Sequence, residues 1–145
     1  WLNNGGMQTL ASFRIKGVRQ NMSDQQLRTV RTELEHALGP ELIAWLRGLP
    51  KMWSNGNVTV VHAGVDPKRR IDQQSGKVLT WGHADFLKAP RTDGNWIVYG
   101  HTIVPDVISN NGRIGVDTGA FATGKLSAAS ISKAGLSVLT ASVNR

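Results

Sequence analysis

Cysteine is missing from the whole of this 145-residue sequence. Its absence excludes disulfide bridges, zinc–thiolate sites and cysteine nucleophiles. A chain that does without disulfides suits a reducing compartment, and we expect the protein to be cytoplasmic.

Long runs of a single residue class are missing as well. No apolar stretch is long enough to cross a bilayer, and no run of five basic residues occurs. Aromatic residues do not alternate with basic ones, as they do in proteins that bind single-stranded nucleic acid. A G-x-S-x-G motif, which would indicate a serine hydrolase, is also absent. Membranes and nucleic acid are therefore not the partners that we expect.

Acidic residues are scarce, since ten Asp and Glu stand against 17 Lys and Arg, for a formal charge of +7. This balance by itself favours anionic partners, whether nucleic acid, phosphorylated protein or anionic lipid. The hydrophobic fraction of 40% is that of an ordinary globular chain. The length is suited to one domain with a modest core.

Helices are predicted in the first third of the chain. Ser23 and Gln26 have the spacing of a capping box, and apolar residues then recur at helical spacing up to Leu38. Gly39 and Pro40 are expected to separate this helix from a second one, which ends before Pro50.

Strands are predicted in the remainder. The β-branched run at 58–61 and the apolar run at 96–99 both indicate buried strands. The turn at 110–112 predicts a hairpin between 107–109 and 113–116, and 125–132 with 135–141 are expected to form a closing antiparallel pair. Helices followed by strands predict a layered α/β domain of the α+β kind, with a site where loops follow strand ends.

Two histidines, His62 and His101, come just after the two buried strands. Neutral imidazole is a good ligand for Mn, Fe or Zn, and the neighbouring Gly64 and Gly100 permit close approach of a substrate. An isolated histidine at a strand end is also often a hydrogen-bonded structural residue. Two histidines without carboxylates make an incomplete site for hard divalent ions. From spacing alone they indicate half of a metal site at most.

Four blocks of the sequence resemble, in order, the later part of the calcineurin-like metallophosphoesterases. VVHAGVDP at 60–67 and WIVYGHTIV at 96–104 are similar to the two downstream histidine motifs of bacterial serine/threonine protein phosphatases. IGVDTGAFATGKL at 114–126 is similar to their closing segment, and WLNNGGMQTLASF at 1–13 to the stretch that follows their third metal motif. Each block is weak by itself, but the four span the chain from end to end.

The resemblance implies a fold, a reaction and a metal centre. The fold would be a central β-sandwich flanked by helices, and the reaction hydrolysis of phosphoserine or phosphothreonine at two divalent metal ions, Mn in the first place and Fe or Zn as alternatives. His62 and His101 match the two histidines that bind the second metal. The partner would be a phosphorylated protein or a small phosphoester.

The family's first three metal motifs do not occur, because the sequence contains neither a GD dipeptide nor GNH. We therefore expect residues 1–145 to be the C-terminal portion of a single metallophosphoesterase domain. The missing partner would be the N-terminal half of the same domain. Trp1 in place of an initiator methionine, ahead of a glycine turn, favours the same interpretation. The chain alone is then expected to be inactive.

One departure from the family lies between the two metal histidines. The family has W-x-R-x-x-F-L, whose arginine binds the substrate phosphate, whereas residues 81–87 read WGHADFL. His83 takes the place of that arginine and is a candidate phosphate contact, unless it is an ordinary exposed loop residue. Arg69, Arg70 and Arg91 are the arginines that could replace it instead.

Smaller expectations concern three further residues. Asp117 is expected to support a structural turn rather than bind a metal, and Asp66, which precedes Pro67, to cap a turn. His36 is expected to be solvated on the polar side of a helix.

Two other functions stay open: a dinucleoside-polyphosphate hydrolase of the same fold, and a non-catalytic basic binding module.

Overall fold

The fold was examined in a computed structural model that describes residues 1–143. The chain divides into two compact units, Trp1–Leu49 and Pro50–Arg145. Our expectation of a single domain stays a prediction. Among the described residues, no helix combines the length and the hydrophobicity needed to cross a membrane.

The first unit is helical. Leu2–Gly6 forms a π-helical turn that leads into α1 (Met7–Ser12), and α2 follows (Asp24–Gly48). The predicted capping box is confirmed, because Ser23 and Gln26 exchange hydrogen bonds between side chain and backbone. The span of α2 consists of two helices joined at a kink, where Gly39 has the non-helical angles φ +76° and ψ 158°, so the predicted separation at this position is confirmed. The sequence analysis missed α1.

The second unit contains two sheets and two short helices. Its elements are β1 (Met52–Asn55), β2 (Val58–Val61), a 3₁₀ turn (Ile71–Gln73), α3 (Gly76–Trp81), β3 (Trp96–Tyr99), β4 (Ile108–Asn110), β5 (Arg113–Gly115), α4 (Ala120–Thr123), β6 (Lys125–Ser132) and β7 (Gly135–Ser142). Five strands form a mixed sheet in the order β1-β2-β3-β5-β4, in which β2–β3 and β3–β5 are parallel. β6 and β7 form a separate antiparallel hairpin.

The predicted strands are confirmed at 58–61 and 96–99, as are the hairpin around Asn111 and Gly112 and the closing pair of strands. Sequence analysis missed β1 and α3. The mixed sheet with helices confirms the α+β class. Neighbouring parallel strands require crossover connections, and the long segments 62–95 and 100–112 supply them.

One face of the five-stranded sheet carries the core of this unit. Val61, Ile97 and Tyr99 point from β2 and β3 into a buried cluster with Val65 and Phe86. The Phe86 and Tyr99 rings meet edge to face, with centroids 4.9 Å apart. Burial raises the pKa of the Tyr99 hydroxyl. The crossover between β2 and β3 thus packs onto the sheet and is held there.

The other face of the five-stranded sheet is separated from the β6–β7 hairpin by a cavity. Val60 and Val98, with Trp53 of β1, line a cavity of about 810 Å³ that the hairpin residues Ala129 and Ile131 also line. Apolar side chains stay exposed on both sheets, for example Trp53 at 57%. The largest exposures on the hairpin are those of Leu126 and Leu139. This unit therefore leaves apolar side chains exposed on both sheets.

A buried arginine ties the crossover to the sheet. Arg113 begins β5 and is only 5% exposed. Its guanidinium donates to the carbonyl oxygens of Phe86, at 2.6 Å, and Ala89, at 3.0 Å. A charged donor compensates well for burying two carbonyl groups that lie outside regular secondary structure.

Replacing this arginine is predicted to destabilise the second unit. Arg113→Met keeps most of the volume but leaves two carbonyl oxygens without a donor, so the free energy of unfolding should fall by about 2–4 kcal/mol. Urea denaturation followed by tryptophan fluorescence measures it. Lys77→Met, at an exposed position on α3, should change the free energy by about 0.5 kcal/mol or less. Equal effects of the two substitutions would show that the Arg113 hydrogen bonds are not important.

Candidate functional site

Three polar side chains follow the carboxyl ends of the three parallel strands. His62 comes directly after β2, His101 two residues after β3, and Asp117 two residues after β5. The loops are joined by backbone hydrogen bonds, since Gly100 N–H donates to the His62 carbonyl at 2.9 Å. Val104 N–H likewise donates to the Asp117 carbonyl at 2.8 Å. The sheet therefore places all three residues at one edge.

The two predicted metal histidines are neighbours. The rings of His62 and His101 have centroids 5.1 Å apart at an interplanar angle of 63°, and both residues are exposed. The Trp81 ring stands edge-on to His101, with centroids 6.0 Å apart. Two imidazoles that share one ion at about 2.1 Å from each ligand nitrogen have centroids roughly 4.5–5 Å apart. The centroid distance of the pair is close to that range.

The backbone at this edge adopts unusual conformations. His101 has φ +64°, in the left-handed region that few residues other than glycine enter. Gly64 has φ +155°, and a Cβ atom there would lie 2.6 Å from the Phe86 ring. Such conformations persist only where the surrounding structure enforces them, and they concentrate at functional sites. The surrounding structure therefore constrains the backbone of the two loops that carry His62 and His101.

The ligand set that this chain offers is incomplete. In the part of the chain that the structure describes, no group of three or more His, Asp or Glu side chains lies close enough together to hold a metal ion. Asp117 uses Oδ1 to accept from Gly119 N–H at 2.9 Å, which agrees with the expected structural turn. Among the described residues, His62 and His101 therefore form at most part of a metal site.

His83 lies in the same cleft as His101. The cleft has a volume of about 260 Å³, and its lining also includes Trp81, Phe86 and Thr102. His83 Nδ1 accepts a hydrogen bond from Asp85 N–H at 3.2 Å, so the proton of the neutral ring belongs on Nε2. His83 thus carries a hydrogen-bond donor in the cleft that it shares with His101.

Asp66 joins His83 to the loop that follows His62. Asp66 Oδ2 lies 3.9 Å from His83 Nε2 and 3.5 Å from Arg69 Nε. Asp66 Oδ1 accepts from Lys68 N–H at 2.9 Å, which confirms the predicted turn cap. Of the three candidate arginines, Arg69 is therefore the one that shares the Asp66 carboxylate with His83.

Arg70 and Arg91 are engaged elsewhere. Arg70 forms a two-bond ion pair with Asp72. The Arg91 side chain is 4% exposed and bonds Asp93 through both Nε and Nη2. Its hydrogen bond holds the pKa of the Asp93 carboxyl well below the usual range. The stabilisation is complete above the usual value near pH 4 and is lost as the pH falls from there towards the lowered pKa.

The loop 66–70, which we call the basic loop, is held by hydrogen bonds from two side chains outside it, which together we call the brace. Gln74 Nε2 donates to the carbonyl oxygens of Asp66 and Arg69, each at 3.0 Å, and of Arg70, at 3.2 Å. Arg91 Nη1 donates to the first two of these at 3.2 and 3.0 Å. No motif in the sequence indicated this arrangement. The contact of Arg91 with Asp66 spans 25 residues, so local pattern could not reveal it.

Comparison with known proteins provides no family for the chain. No protein-family model matches the sequence, and no curated protein sequence is detectably similar to it.

Removing the brace is predicted to loosen the basic loop. Arg91→Gln abolishes the ion pair with Asp93 and the two bonds to loop carbonyls, so trypsin should cleave after residues 68–70 roughly tenfold faster. Mass spectrometry of a timed digest measures the rate. Arg31→Gln removes only an exposed pair with Glu35 and should leave the rate unchanged. Cleavage of the Arg91 variant at the parental rate would mean that the brace does not restrain the loop.

Proposed function

We propose that this chain is the C-terminal portion of a calcineurin-like metallophosphoesterase that hydrolyses phosphoserine or phosphothreonine in proteins. The observation that carries the proposal is the pair of exposed imidazoles, His62 and His101, at adjacent parallel strand ends with ring centroids 5.1 Å apart. The order of the four resembling sequence blocks supports the same assignment.

In this proposal His62 and His101 bind the second of two divalent metal ions, with Mn as the expected metal and Fe or Zn as alternatives. When bound, the metals supply Lewis acidity to the phosphoryl group. The strained backbone of His101 and the edge-on Trp81 ring keep the imidazole aimed into the cleft. The remaining ligands come from polypeptide outside these 145 residues.

His83 takes the role of a phosphate contact. Its Nε2–H is the donor that the cleft offers beside His101, and the Asp85 backbone bond fixes the ring tautomer. A neutral imidazole presents one donor, whereas an arginine presents a planar fork of donors. Substrate phosphate is therefore held less tightly here than by an arginine, and the exposed Arg69, which shares the Asp66 carboxylate with His83, is the arginine proposed to assist.

The proposed fold is the family's β-sandwich. The five-stranded sheet and the hairpin face each other across the apolar cavity of about 810 Å³. In the complete domain, further strands would cover the exposed apolar side chains of Trp53, Leu126 and Leu139. In that domain, the site at the strand ends would lie between this chain and the proposed N-terminal portion.

Removal of either metal histidine is predicted to weaken metal binding by the chain itself. Zn²⁺ is the probe, because imidazole sites bind it more tightly than Mn²⁺. His62→Ala and His101→Ala should each lower the affinity roughly tenfold or more, measured by isothermal titration calorimetry.

His36→Ala is the matched control, since His36 is exposed on α2 in the other unit. It should leave the main binding event unchanged. Equal losses in all three variants would indicate scattered surface binding and would contradict the proposed centre.

Activity is predicted for the chain joined to the polypeptide encoded upstream in its reading frame. With Mn²⁺ this protein should hydrolyse a phosphoserine peptide, and His101→Ala should lower kcat roughly hundredfold or more. Release of inorganic phosphate measures the rate. Preferential cleavage of diadenosine tetraphosphate would instead identify the related hydrolase, and no activity with either substrate would leave a binding module.

A further inference from the structure

The basic loop has a fixed backbone, and two side chains of this chain are used to fix it. Gln74 and Arg91 together make five hydrogen bonds to three loop carbonyl oxygens. Arg91 is nearly fully buried to do so. Burying a guanidinium is unfavourable unless it is paired and fully hydrogen-bonded, as it is here through Asp93. A loop that served only as a connection would not require such support.

Two cations of the braced loop remain available to a ligand. Lys68 is exposed and forms no ion pair within residues 1–143. Arg69 is 65% exposed and contacts Asp66 only at 3.5 Å, through one nitrogen. Arg70, in contrast, is satisfied by Asp72. Lys68 and Arg69 therefore provide positive charge on a rigid support, which lowers the entropic cost of binding an anion.

The position of these cations relates them to the cleft. Asp66, in the same loop, lies 3.9 Å from His83, and His83 shares the cleft with His101. Arg69 lies 3.5 Å from the same Asp66 carboxylate, so a ligand whose phosphoryl group contacted His83 would bring its neighbouring groups towards Arg69, which Lys68 precedes in the loop. Exposed apolar side chains, Trp81 and Leu87, border the same cleft and offer contact to the rest of a ligand.

We propose that the basic loop selects phosphoester substrates that carry a second anionic group next to the phosphoryl group. A carboxylate of an acidic phosphopeptide and a further phosphate of a polyphosphate share this chemistry. The assignment of the phosphoryl group to the His83 cleft depends on the proposed function. The preference of Lys68 and Arg69 for an additional anion does not depend on a metal.

The test measures binding to the 145-residue chain by fluorescence anisotropy in EDTA at low salt. The probes are a labelled phosphoserine peptide flanked by aspartates and the same peptide flanked by alanines. The acidic peptide should bind roughly fivefold more tightly, and Lys68→Gln with Arg69→Gln should reduce that ratio to about one. The control is Arg28→Gln with Lys133→Gln, which removes the same charge from exposed positions elsewhere and should keep the ratio.

A second variant separates rigid presentation from charge alone. Arg91→Gln leaves Lys68 and Arg69 in place but removes the brace, so it should lower the ratio without abolishing it.

Competition by diadenosine tetraphosphate distinguishes the source of the second anion. If it displaces the acidic peptide from the parent chain but not from the Lys68 and Arg69 variant, the ligand is a polyphosphate.

Two results would overturn the proposal. One is an equal loss of the ratio in the loop variant and its charge-matched control. The other is the absence of any preference for the acidic peptide. The proposed function fails by a separate result, namely Zn²⁺ binding that does not depend on His62 and His101. The two failures are therefore distinguishable.

Discussion

Parallel pairing of β3 with both β2 and β5 determines where the chemical groups of this chain lie. Parallel strands end at the same edge of a sheet, so the loops that follow them are forced together. Hydrogen bonds between those loops then set the spacing of His62 and His101. Neither histidine loop could move far without breaking the backbone hydrogen bonds that join it to the neighbouring loop.

The crossover between β2 and β3 contributes both to the core and to the cleft at this edge of the sheet. It packs Phe86 into the core, accepts the buried Arg113 through its carbonyl groups, and returns His83 to the cleft. Stability and site geometry therefore depend on the same segment. The basic loop at its start is held by Arg91 near its end, so one crossover carries both the support and the groups that it presents.

Much of the fold could be predicted because local pattern determines it. The β-branched run at 58–61 and the Asn111–Gly112 turn indicated their strands and hairpin without tertiary information. β1 was missed because the sequence MWSN has little β-branched character and pairs only as an edge strand. The position of each histidine at a strand end was predictable. Strand order and the brace by Arg91 depend on contacts between residues far apart in the chain.

The left-handed backbone of His101 limits what evolution can place there. Asn and Gly tolerate this conformation most readily, and neither provides a neutral nitrogen ligand. Most other residues would strain the turn. Genetic drift at this position would therefore remove the imidazole through a replacement that leaves the protein folded, and a descendant without it would keep the same architecture.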